Sequence, residues 1–143
     1  MDPLSIVAAA FGLMDIMSKT LKEAASFACG IQSARADIHA MKKEFNSIKA
    51  AMDILIRNAQ KSIPEPLQGK FMVIIDYCVG DVVKIREVLT RFRHLSFAKK
   101  VQWAMSGRME FDTLRSSLKT HNQALDMALT SVNLVIAGDV KGT

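Results

Sequence analysis

Three histidines and two cysteines are the side chains of this chain best suited to chemistry, and their spacing argues against it. His39, His94 and His121 share no metal-ligand spacing, and Cys29 and Cys78 form no CxxC pair. The cysteines read as buried thiols in a reducing compartment, with a disulfide as the minority alternative. His39 lies beside a helical seam with Asp37 close in sequence, and His121 falls on an apolar stripe. A lone histidine there reads as a satisfied core residue rather than a general base. No phosphate-binding glycine loop, HExxH, GxSxG or paired ExxH motif occurs. No nucleophile pairs with a base. The chain is therefore expected to be no enzyme and to need no cofactor or metal.

Charge offers a second kind of chemistry. The formal net charge is +5, and the whole excess sits in one segment. Arg91, Arg93, Lys99, Lys100 and Arg108 fall between Arg91 and Met109 with no acid among them. Such a segment suits anionic lipid headgroups, an acidic protein surface or nucleic acid. The bland alternative is a solvated loop and helix end. Phe92, Phe97 and Trp103 are interleaved with these charges, but they have sufficient roles as core residues and no nucleic-acid module is recognisable. No nucleic acid is expected as a partner.

The third candidate is the opening stretch, MDPLSIVAAAFGLMDIMSK, which carries a single charge, Asp15, between Leu4 and Met17. Asp2 suits an N-cap and Pro3 the first helical position. A helix apolar nearly all round is buried on most sides or sits in lipid. The run of about 14 residues is short of the ~20 that span a bilayer. A constitutive anchor is not expected, whereas conditional insertion with part of the following helix stays open. Ser5, Ala8, Ala9 and Gly12 place small residues at helical spacing, which lets helices approach closely. Leu4, Ile6, Val7, Phe11, Gly12 and Leu13 are the candidate inserting residues. The alternative is that this helix only fills a bundle groove.

The elements that would position these groups are helical. Half of the residues are hydrophobic, aromatics are 6%, and Gly and Pro are few. The first helix is expected from Pro3 toward Cys29, with Gly30 as its stop. The second is expected over 34–62, where Ile38, Met41, Phe45, Ile48, Met52, Leu55 and Ala59 step by 3 and 4. Pro64 and Pro66 end it. The third is expected over 67–95. Its β-branched run at Phe71–Val79 allows a strand locally, but the helical spacing continues on both sides. Residues 96–107 form a connector with a helical turn, held down by Trp103, whose indole N–H needs a partner. The last helix is expected over 108–137, with Gly138 closing it. Of the nine methionines, most read as filling an aromatic-poor core, the alternative being an adaptable binding surface.

The expected fold class is all-α, an antiparallel four-helix bundle with a short extra helical turn before the last helix. One domain is expected over 1–138, and 139–143 reads as the start of a linker to a possible downstream domain.

The opening MDPLSIVAAAFGLMDI resembles the N-terminus of the fungal HeLo-like domains. The stretch from Lys99 to Phe111, KKVQWAMSGRMEF, followed by Leu114 and Leu118, is similar to that family's Trp-containing connector and last helix. These domains stand ahead of STAND or NLR-type receptors, ankyrin arrays or prion-forming tails. The resemblance covers essentially the whole chain. It implies a bundle related to the four-helix domain of the mixed-lineage kinase domain-like protein, and a role in programmed cell death and heterokaryon incompatibility. It implies a cytoplasmic protein that self-associates, relocates to the plasma membrane, binds anionic lipids and inserts its first helix to form pores. The implied partners include a downstream receptor or amyloid-signalling domain. The competing expectation is a signalling adaptor whose bundle makes protein contacts and never enters lipid. A third is a purely structural cap.

Overall fold

The computed structural model describes residues 3–59, 63–92 and 97–141. The described residues form four long helices and no strand. Helix α1 spans Pro3–Gly30 and ends at the expected glycine. A 3-10 turn at Gln32–Ala34 follows extended Ile31 and reverses the chain. Helix α2 spans Arg35–Ala59, and its heptad positions Ile38, Met41, Phe45, Ile48, Met52 and Leu55 are all buried. Helix α3 spans Glu65–Arg91. It starts before the expected residue because Pro66 fits the first turn, where no N–H is required. Pro64 precedes the helix, and its carbonyl accepts from the N–H groups of Leu67 and Gln68 at 2.9 and 3.1 Å. No strand forms at Phe71–Val79: Phe71, Ile74, Ile75 and Cys78 face the core at helical spacing.

Helix α4, Phe97–Gln102, leads through a π-helical turn at Trp103–Gly107 into α5, Arg108–Lys141. Gln102 and Arg108 both keep right-handed helical angles, so the helical path is unbroken from α4 into α5. The expected connector is thus a tributary of the last helix rather than a separate link.

Ion pairs and hydrogen bonds fix the directions. Glu23 near the end of α1 meets Arg86 at 3.2 Å and Thr90 at 2.9 Å near the end of α3, so α1 and α3 run the same way. Arg108, Arg115 and Asn122 of α5 meet Asp37, Glu44 and Ser47 of α2, so those two also run parallel. Arg91 meets Glu110 at 2.9 Å, and α3 and α5 are therefore antiparallel. Consecutive helices alternate in direction, which makes the bundle antiparallel along the chain. α1 packs on α2 and α3, and α5 packs on the same two, so α1 and α5 occupy opposite corners.

Trp103 is completely buried where the helix ends meet. Its ring lies edge-on to Phe27 of α1 at 4.8 Å, and to Phe92 and to Phe111 of α5 at 5.6 Å each. Four aromatics thus close one end of the bundle, as the connector tryptophan was expected to do. Its Nε1 finds no acceptor among the described residues.

Candidate functional site

Helix α1 has two apolar faces with different fates. Ile6, Ala10, Leu13, Met17, Ala24 and Phe27 are buried against α2 and α3. Burying Ile6, Leu13 and Met17 stabilises the docked helix by roughly 5–9 kcal/mol. The other face stays in water: Leu4 is 77% exposed, Phe11 is 56% exposed, and Ala8 and Gly12 beside them are exposed. Val7 is half-buried at the border. The six candidate inserting residues therefore divide. Ile6 and Leu13 hold the bundle, and Leu4, Phe11 and Gly12 face out. Sequence periodicity could not separate the two sets, because alanine and glycine blur the boundary of the stripe.

By length and composition, the stretch Leu4–Gly30 is one helix long and apolar enough to cross a membrane, with a mean hydropathy of 1.5 in its best window. The core helix of a soluble protein passes the same test. Charge placement limits what such a helix does. Asp15 lies eleven residues past Leu4, about 16 Å along the axis. In a spanning helix that is near the midplane of a ~30 Å hydrocarbon core. A charge there costs about 2.5–3.5 kcal/mol. Lys19 answers it at 3.0 Å, one turn on.

The candidate basic residues whose side chains are described, Arg91, Lys100 and Arg108, sit elsewhere. Because α1 and α3 run parallel, Arg91 and Arg108 cluster with the end of α1, and Leu4 and Phe11 lie at the opposite end. From Leu4 to Phe27 the axis rises about 35 Å, several times the ~8 Å screening length of physiological salt. Two of the five are also paired. Arg91 meets Glu110 at 2.9 Å, and Arg108 Nε lies 3.1 Å from Asp37 Oδ2. The second contact is close in distance but not aligned as a hydrogen bond, since Asp37 Oδ2 accepts none. Lys100 is exposed on α4. Arg93 lies outside the described residues, and for Lys99 only the helical backbone is described. An acid-free segment in sequence is thus partly neutralised in space by acids of α2 and α5. Among the described residues, exposed basic side chains toward the apolar end include Arg57 of α2 and Lys70 of α3. They are scattered over two helices and interspersed with Asp53 and Glu65, so no sequence run marked them.

The chemistry-bearing residues resolve as follows. His121 Nδ1 lies 2.8 Å from Asp81 Oδ2, and Ser117 donates to the same oxygen at 2.9 Å. Tyr77 stacks on the His121 ring at 5.1 Å. Ser117 and His121 thus both engage the same carboxylate oxygen of the aspartate. The group is a polar latch between α3 and α5, with Asp81 buried. His39 is exposed and lines a groove of about 370 Å³ between α1 and α2 with Cys29, Arg35 and Lys42. His94 lies outside the described residues. Cys78 is buried, as expected of both cysteines, but Cys29 is exposed on the last turn of α1. Its position falls off the buried stripe that carries Ala24 and Phe27. Burial, with the Asp81 charge adding, pushes the Cys78 thiol up to about 12. Among the described residues no group of three or more His, Cys, Asp or Glu could hold a metal ion.

No protein-family model, curated protein or solved structure matches this chain.

Proposed function

We propose that this chain is a membrane-targeting effector domain of fungal programmed cell death, triggered by oligomerisation, whose α1 enters the bilayer. The observation that supports this reading is the outward apolar face of α1 around Leu4 and Phe11, on the helix of the chain with the composition to change solvent. The resemblance of its first and last helices to HeLo-like domains supplies the biological setting. Under this reading the protein is cytoplasmic at rest, acts at the plasma membrane and serves a downstream receptor or amyloid-signalling module.

The energetics order the steps. The exposed face enters the interfacial region first, with the bundle intact, because this costs no core contact. Release of the inner face sacrifices roughly 5–9 kcal/mol of burial, comparable with the total stability of a domain. Oligomerisation must offset that loss before α1 leaves α2 and α3. The basic segment acts on anionic headgroups only when the bundle lies along the membrane or after α1 has swung out.

The test is dye release from vesicles containing anionic phospholipid, using the whole chain fused to an inducible oligomeriser. Release on induction is expected, and Phe11→Asp should abolish it while helical circular dichroism persists. No release at any lipid composition would overturn the effector reading and favour a bundle that makes protein contacts only.

A further inference from the structure

The outward face of α5 carries a second seam that the bundle leaves uncovered. Met109, Ser116, Gln123, Met127 and Leu134 are all exposed, and they step by 7, 7, 4 and 7. Met109 is 71%, Met127 72% and Leu134 69% exposed. The small residues between them are already satisfied. Thr113 donates to the Met109 carbonyl at 3.0 Å, Thr120 to Ser116 at 3.1 Å, Thr130 to Asp126 at 2.9 Å and Ser131 to Met127 at 3.1 Å. Hydroxyls bonded to their own helix lose little when water is removed. The seam is thus uncharged and cheap to desolvate over most of a 34-residue helix.

We propose that this face pairs with the same face of a second copy of the chain, α5 against α5, antiparallel about a two-fold axis between Thr120 and Gln123. In that register Met109 of one copy lies opposite Leu134 of the other and Thr113 opposite Thr130. Ser116 faces Met127, and Thr120 faces Gln123. Charge fixes the register independently. Lys119 and Asp126 share one flank of the seam, one heptad apart, and neither has an ion-pair partner among the described residues. Antiparallel pairing sets like flanks together, so Lys119 of each copy faces Asp126 of the other, twice by symmetry. An acidic or basic partner would find no such match on an uncharged stripe.

The overlap from Met109 to Leu134 is about 39 Å long and about 10 Å wide. It buries about 800 Å² in total, at the weak end for specific interfaces. An interface this small is weak or transient, so the chain dimerises when concentrated or tethered. This pairing does not depend on the membrane reading and is tested without lipid.

Sedimentation of the full chain over about 5–500 µM should show the mass rising from 15.8 kDa toward twice that value. Lys119→Asp should weaken dimerisation about tenfold or more, and adding Asp126→Lys should restore it to within about threefold. In a Cys29→Ser background, mixing the Thr120→Cys and Gln123→Cys variants should give a disulfide-linked heterodimer on mild oxidation. A monomer at every concentration would overturn the proposal, as would a dimer indifferent to Lys119→Asp. A dye on Gln123→Cys that shifts on vesicles while the protein stays monomeric would assign the stripe to lipid and overturn it too.

Discussion

Gly107 sits where the π turn passes into α5, and replacing it with alanine should lower stability although helix propensity argues the opposite. A Cβ there would lie 2.7 Å from Phe92 Cε2 and from Trp103 Cε3, and 2.8 Å from Phe92 Cζ. Ordinary carbon contacts need about 3.5 Å, so the rings must retreat by about 0.8 Å. They have nowhere to go, because Trp103 is fully buried and wedged edge-on against Phe27, Phe92 and Phe111. Overpacking of this kind costs about 1–3 kcal/mol. Against it stands the gain of about 1 kcal/mol from replacing glycine in a helix. The net expectation is a loss of up to about 2 kcal/mol, read as a fall in Tm of up to roughly 8 °C. Gly80 is the control: a Cβ there meets nothing within 4 Å, so Gly80→Ala should raise Tm by roughly 2–4 °C. Differential scanning calorimetry decides. If Gly107→Ala stabilises as Gly80→Ala does, the aromatic end is not close-packed and the reasoning fails.

Three more outcomes follow from the geometry. Leu13→Ala should cost about 2–5 kcal/mol in urea unfolding and Phe11→Ser less than about 1 kcal/mol, while Phe11→Ser weakens vesicle pelleting more; equal effects on stability would deny that α1 has two faces. Asp81→Ala strands Ser117 and His121 and should cost about 1–3 kcal/mol; an unchanged urea midpoint would show the α3–α5 latch idle. One thiol should react quickly with a disulfide reagent, and it should vanish in Cys29→Ser. With the Cys78 thiol up at about 12, its thiolate stays scarce from pH 7 to 9, so rapid labelling of two thiols in that range would contradict its burial.

The heptads of α2 and α5 made the bundle legible, because an unbroken 3/4 seam leaves one face to bury. Pro66 misplaced the start of α3, since a proline that blocks a helix interior is welcome in its first turn. The fusion of α4, the π turn and α5 was hidden, because Gly107 reads as a break and is instead a space for Trp103. What the sequence could not show was which ends meet. The parallel course of α1 and α3 separates Leu4 and Phe11 from Arg91 and Arg108, and pairing with Glu110 and Asp37 depends on partners 19 and 71 residues distant. The exposure of Cys29 was equally hidden, since it follows from the angular position of one residue on a helix whose stripe is diffuse.

These placements also change how the basic segment should be probed. Arg108→Glu would set a like charge beside Asp37 and confound lipid binding with stability. Lys100→Glu, on an exposed position of α4, separates the two.

The most direct measurement of the central claim places an environment-sensitive fluorophore at Phe11→Cys in a Cys29→Ser background, with Met105→Cys at the other end of the bundle as control. On induced oligomerisation with anionic vesicles, emission from position 11 should shift further to the blue than that from position 105. A shift at position 105 alone, or at neither, would contradict entry of the α1 outer face into the membrane.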